Sequence, residues 1–145
     1  MLLAMPAILI QGCSGSSMKA NNGSREQMAD CPDRPNCVFS KARNDRHAVA
    51  PFRLKDNTPA VWQGVREVVA NLPRTTVVKA TDRYLHAECK SRVFGFIDDL
   101  ELQLHPETGD IHIRSASRVG YSDMGVNRRR VETLRQNLKK NALIR

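Results

Sequence analysis

The residues that could do chemistry lie in one stretch. Between Tyr84 and Asp123 the chain carries three of its four histidines, the adjacent pair Asp98 and Asp99, and a run ending in Arg114, Ser115, Ser117 and Arg118. A hydrolase could be assembled from these types. His86 or His112 would act as base, Asp98 or Asp99 as its partner, and Arg114 or Arg118 as a clamp for developing negative charge. The spacing matches no nucleophile elbow, no HExxH helix and no phosphate-cradling glycine loop. No motif for a cofactor or a metal is read. Ser117, Arg118 and Tyr121 form a second candidate, an anion pocket, if they converge on a concave surface.

Strand alternation divides these groups. Leu85, Ala87 and Cys89 alternate with Tyr84, His86, Glu88 and Lys90. Leu100, Leu102 and Leu104 alternate with Glu101 and Gln103, and Ile111 and Ile113 with His112 and Arg114. Side chains on a strand alternate between faces. One face is therefore apolar, and the other gathers the candidate polar face of His86, Glu88, Glu101, His112 and Arg114. Asp98 and Asp99 point to opposite faces, so they are no paired-carboxylate dyad. Asp98 falls on the leucine face, where a carboxylate needs a partner. Arg128 or Arg129 of the final helix is expected to supply it as a structural ion pair.

Four strands are predicted, Thr75–Ala80, Arg83–Ser91, Phe94–Leu104 and Asp110–Ser117, with hairpin-length connections that require antiparallel pairing. Thr58 and Pro59 begin a helix whose apolar stripe is Val61, Val65, Val68, Val69 and Leu72, with Trp62 at its edge, and Pro73 stops it. A second helix follows Ser122 or Asp123 as cap, with Val131, Leu134 and Leu138 as its seam. The arginine triplet Arg128–Arg130 lies near that helix's start, where the dipole disfavours cations, so an acidic partner is expected. Ala48–Leu54 reads as an edge segment because of Pro51, and His47 as a surface or turn residue. The expected fold is α+β: an antiparallel sheet of about four strands with two helices packed on one face.

The N-terminus points to export. Residues 1–12, MLLAMPAILIQG, are uncharged and mostly apolar but too short for a bilayer span, and they resemble the h-region of a signal peptide. A basic n-region is missing, so the true start is expected upstream. Ile10-Gln11-Gly12-Cys13 resembles a bacterial lipobox, which makes Cys13 the expected lipidation site and anchors the protein to a membrane. Ser14 after it resembles outer-membrane sorting, facing the periplasm, in a Gram-negative cell. Residues 13–30 then hold the lipidated cysteine and a polar tether, and 31–145 a single domain. In such a compartment Cys31 and Cys37 are read as a disulfide closing a proline-rich turn, and Cys89 as a buried small hydrophobe.

The net charge of +8 is concentrated near the C-terminus, with nine Lys/Arg against two acids from Arg114 to Arg145. An anionic ligand or an envelope partner at this basic region is the expected contact. Nucleic acid is not expected: aromatics are scarce, at 5%, and the predicted export takes the protein away from it.

The segments CPDRPNCV, RHAVAPF, YLHAECKSRVFGFIDDLELQL and IHIRSASRVGYSDMGVNRRRVE, in this order, resemble the uncharacterised bacterial and plastid family called domain of unknown function 1499. The resemblance runs from Cys31 to about Leu138. It agrees with an exported or membrane-associated protein and brings neither a reaction nor catalytic residues. Its members carry a small residue where this chain has Cys89. The resulting expectation is an envelope lipoprotein acting as a non-enzymatic binding or structural module, with a hydrolase-like enzyme as the alternative.

Overall fold

In the computed structural model, residues 27–145 are described. The signal-like segment, Cys13 and most of the proposed tether lie outside them. The elements in order are β1 (Cys37–Phe39), β2 (Phe52–Arg53), α1 (Pro59–Ala70), β3 (Thr75–Ala80), β4 (Tyr84–Lys90), β5 (Ile97–His105), β6 (Asp110–Ser117) and α2 (Val126–Lys140).

All strand pairings are antiparallel, in the order β1-β6-β5-β4-β3, with β2 also on β6. The α+β expectation holds, with six strands in place of four. The two additions, β1 and β2, are three and two residues long. Strands that short carry no readable alternation. They share the outer edge of β6, Cys37 facing Ala116 and Phe52 facing Ile111. The edge segment expected at Ala48–Leu54 thus narrows to β2.

Both helices cover the leucine face. Thr58 caps α1, its hydroxyl accepting from the Val61 amide at 3.3 Å, and Pro59 sits in the first turn. Trp62, Val65 and Val69 of α1 and Val131, Leu134 and Leu138 of α2 are buried against Leu85, Leu100, Leu102, Ile111 and Ile113. Trp62 also donates to the Thr81 carbonyl at 3.3 Å. At the start of α2 the Asp123 carboxylate accepts from the amides of Gly125 (2.8 Å) and Asn127 (3.0 Å). It thus places negative charge where the dipole favours it.

β5 starts later than the alternation suggested. Residues 91–96 form the hairpin connection, closed by the Ser91 amide on the Phe96 carbonyl (2.7 Å) and the Phe96 amide on the Ser91 hydroxyl (2.9 Å). Gly95 supplies the positive φ of 67° that the turn needs. Phe94, expected to begin the strand, stands exposed at this turn beside Val93.

Candidate functional site

Cross-strand register places the polar face. His86 lies opposite Glu101, Glu88 opposite Asp99, Glu101 opposite Arg114, and Gln103 opposite His112. These side chains divide into three sets. In the first, His86 Nε2 lies 2.7 Å from Asp99 Oδ1, and Arg118 binds both oxygens of Asp99 (3.0 and 2.7 Å) and Glu88 Oε1 (2.6 Å). In the second, Glu101 accepts from Tyr84 Oη (2.6 Å) and Arg114 Nη1 (2.8 Å). In the third, His112 Nδ1 lies 3.1 Å from Ser40 Oγ, and its ring stands edge-on to His105 at 4.8 Å.

The electrostatics follow from this pairing. Burial pushes the Asp99 carboxyl up, but its hydrogen bonds to Arg118 and His86 outweigh that and hold it below the usual carboxylate range. Asp99 and Glu88 together raise the Arg118 guanidinium further above its ordinary value. Burial lowers the His112 imidazole, helped by nearby Lys41 and His105 and opposed by Asp110.

A His–Asp pair at 2.7 Å has the geometry of an oriented base. Two cavities among the described residues are lined elsewhere. One of about 510 Å³ lies beside Met28, Phe39, His47 and Gln103. Another, of about 320 Å³, lies beside Arg74, Cys89, Arg129 and Arg130. Neither is lined by His86, Asp99, Glu101 or Arg114.

Ser117, Arg118 and Tyr121 do not converge. Ser117 Oγ accepts from Asn127 Nδ2 at 2.9 Å. Arg118 folds back over Asp99, and Tyr121 is exposed in the loop before α2. The anion pocket they were expected to form is absent among the described residues.

On the helix-covered face, Asp98 is buried and ion-paired as expected, but its partner is Arg130, whose Nη2 lies 2.6 Å from Asp98 Oδ2. Arg128 instead donates to the carbonyls of Ala48 (2.7 Å) and Arg46 (2.9 Å), and Arg129 to that of Met124 (2.9 Å). The helical period explains the correction. Arg130 follows Asn127 by three positions and precedes Leu134 by four, so it flanks the buried seam on the Asp98 side, while Arg128, three positions before Val131, flanks it on the other side and Arg129 faces outward.

Around this pair lies a network that alternation alone does not reveal. Arg130 Nη1 reaches Ser115 Oγ (3.0 Å) and Asn127 Oδ1 (2.6 Å). Asn127 Nδ2 reaches the Asn36 carbonyl (3.1 Å) and Asp123 Oδ2 (2.7 Å). The clue available in the sequence was Ser115 and Asn127 at otherwise apolar positions.

Cys31 and Cys37 form the expected disulfide, with their Cα atoms 5.6 Å apart, and Cys89 is a buried free thiol. Burial raises the Cys89 thiol above its ordinary value. His47 departs from its surface expectation: it is buried, with Nδ1 2.8 Å from the Cys37 carbonyl. It braces β1, and no periodicity spans the turn in which it lies. Among the described residues no group of three or more His, Cys, Asp or Glu could hold a metal ion, and no helix is long and apolar enough to cross a membrane.

No match to the chain was found among curated proteins or solved structures. The model of the family described as "Protein of unknown function (DUF1499)" matches residues 27–138. That span takes in every element except the end of α2. With sheet, disulfide, Asp98–Arg130 pair and polar face all inside the matched residues, the chain belongs to the DUF1499 family of proteins of unknown function.

Proposed function

We propose that this protein is a cell-envelope lipoprotein, anchored through Cys13, whose folded domain is a non-enzymatic binding or structural module. The observation carrying the non-enzymatic part is the pairing within the polar face. His86, Glu88, Asp99, Glu101, Arg114 and Arg118 are hydrogen-bonded to one another, although the buried Nε of Arg114 has no partner among the described residues. A site that binds and turns over a substrate needs groups converging on space for it. The hydrolase reading is the weaker one, because its His–Asp pair is closed by Arg118. The Cys31–Cys37 bridge supports an oxidising compartment. The lipobox-like run Ile10–Cys13 supports the anchor.

Mass spectrometry of the mature protein tests the anchor. A diacylglyceryl and N-acyl group on Cys13 is the expected result, and an unmodified Cys13 or a retained Met1 sinks it. Substituting His86→Gln tests the module reading in cells. Full retention of the protein's cellular phenotype is expected, whereas its loss with an unchanged melting temperature would favour an enzyme.

A further inference from the structure

Six of the eight large hydrophobic residues exposed among the described residues lie on two connections at one end of the sheet, and a seventh adjoins them. The β4–β5 turn carries Val93, Phe94 and Phe96. The β6–α2 connection carries Val119, Tyr121 and Met124, and Val126 begins the helix after it. The connections are neighbours, since Lys90 pairs with Ile97, Asp98 with Ser117, and the Arg118 amide donates to the Ile97 carbonyl. Phe94 and Phe96 stack at 5.5 Å, and Phe94 and Met124 are 76% and 86% exposed. Scattered exposed apolar residues need no explanation, but a cluster marks a contact surface.

The same end is cationic. Lys90, Arg92 and Arg129 are exposed beside the apolar residues. The carboxylates of the adjoining elements are already engaged: Glu88 and Asp99 with Arg118, Asp98 with Arg130, and Asp123 with the start of α2. Arg118 offsets only one of the charges of Glu88 and Asp99, and Asp123 bonds neutral amides, yet the six cations Arg74, Lys90, Arg92, Arg118, Arg129 and Arg130 exceed these four carboxylates by two. A cleft of about 320 Å³ adjoins the tip, lined among others by Arg74, Lys90, Val126 and Arg129.

We propose that this tip is a docking surface for an anionic lipid bilayer. Its apolar side chains enter the interfacial layer while Lys90, Arg92 and Arg129 meet phosphate headgroups, and the basic cleft receives one headgroup phosphate. Three observations favour this occupant. The apolar groups protrude from turns instead of lining a groove, and a fluid bilayer accepts protrusions without a matching pocket. Aromatic residues with a basic fringe suit the membrane–water interface and an anionic leaflet. A second copy of the chain would bring two cationic tips together, which like-charge repulsion opposes.

Met28 shares a buried cluster with Phe39 and Tyr84, at the opposite end of β4 from the tip. The docking surface does not need the Cys13 anchor, so the two readings fail separately.

The test uses the full chain with Cys13→Ala, which removes the acylation site. A Phe94→Trp substitution in that chain reports from the tip. With phosphatidylglycerol-rich vesicles, its emission is expected to shift to the blue and to be quenched by brominated acyl chains. With phosphatidylcholine vesicles or at high salt, both effects are expected to fall at least fivefold. A second chain, Phe94→Ser with Phe96→Ser, is expected to bind phosphatidylglycerol vesicles about tenfold more weakly with unchanged circular dichroism. No shift at position 94, equal shifts on both vesicle types, or undiminished binding of the serine variant overturns the proposal. So does a dimer in light scattering that the serine variant disperses.

Discussion

Asp98 and Asp99 are neighbours in sequence, lie on the same strand and each bind an arginine, yet they occupy opposite environments. The Asp98 and Arg130 side chains are 6% and 14% exposed. Those of Asp99 and Arg118 are 22% and 41% exposed. The buried pair continues into Ser115, Asn127, Asp123 and Asn36, and so joins β5, β6, α2 and the disulfide loop. The open pair continues only along its own face of the sheet, to His86 and Glu88. One strand thus uses the same two side-chain types for unlike purposes. The covered face uses charge to fix how helix and sheet meet, and the open face neutralises charge that water would otherwise solvate.

The comparison breaks most visibly at Asp98. Replacing Asp98 with Ala strands Arg130 in a dry site, and breaking a buried pair in this way costs about 3–5 kcal/mol. Urea unfolding of Asp98→Ala should show that loss, and a cost below ~1 kcal/mol would place the pair among ordinary surface pairs. The double change Asp98→Leu with Arg130→Met should recover much of it, because buried pairs often gain little over a packed apolar isostere.

Removing the bridge with Cys31→Ser and Cys37→Ser comes next, at about 2 kcal/mol in the chain-entropy model. It frees the loop that presents the Asn36 carbonyl to Asn127. If the covered-face network depends on that loop, amide exchange at Asn127 should rise in the same variant.

Asp99→Asn should cost less, within the ~0.2–1 kcal/mol of exposed pairs. Its signature lies in acid. The folded Asp99 carboxyl is held below its ordinary 3.8, so its contribution is present above that value and disappears as pH falls through the lower folded one. Asp99→Asn should show its full cost near pH 7, flatten that part of the acid-unfolding profile and match the parent once pH falls below the folded value.

The smallest effect is expected at His112, whose imidazole is held below 6.5 in the fold. The unfolded chain then binds the proton more readily, so stability declines as pH drops below about 6.5. His112→Gln should remove that slope, measurable as melting temperature between pH 7 and 5.

Much of the fold was legible because its long strands bury one face. Leu100, Leu102 and Leu104 on β5 and Ile111 and Ile113 on β6 write the two-period directly. Thr58-Pro59 and Pro73 bracket α1 in the same way. What escaped was non-local or too short to repeat. β1 and β2 are defined by their pairing with β6, and the Asp98 partner by the rotation of α2 about its axis. Phe94 misled because the turn places its apolar side chain outward, against the pattern that places strands. The polar-face residues were correctly gathered on one face, but alternation carries no sign that Arg118 closes over Asp99.

The placement of β1 has a consequence for how the chain can fold as it is made. Among the described residues, the first strand to leave the ribosome pairs with the last, β6, and Asn36 beside it waits for groups 84 and 91 residues downstream. The three hairpins from β3 to β6 can zip locally, and the six-residue separation of Cys31 and Cys37 lets their thiols meet early. Yet the N-terminal edge stays unpaired until nearly the whole chain has emerged, and such late, long-range closure slows folding. Once β6 has joined β5, its outer edge is an adhesive strand until β1 closes on it, and oxidation of the small loop shortens the search that covers it.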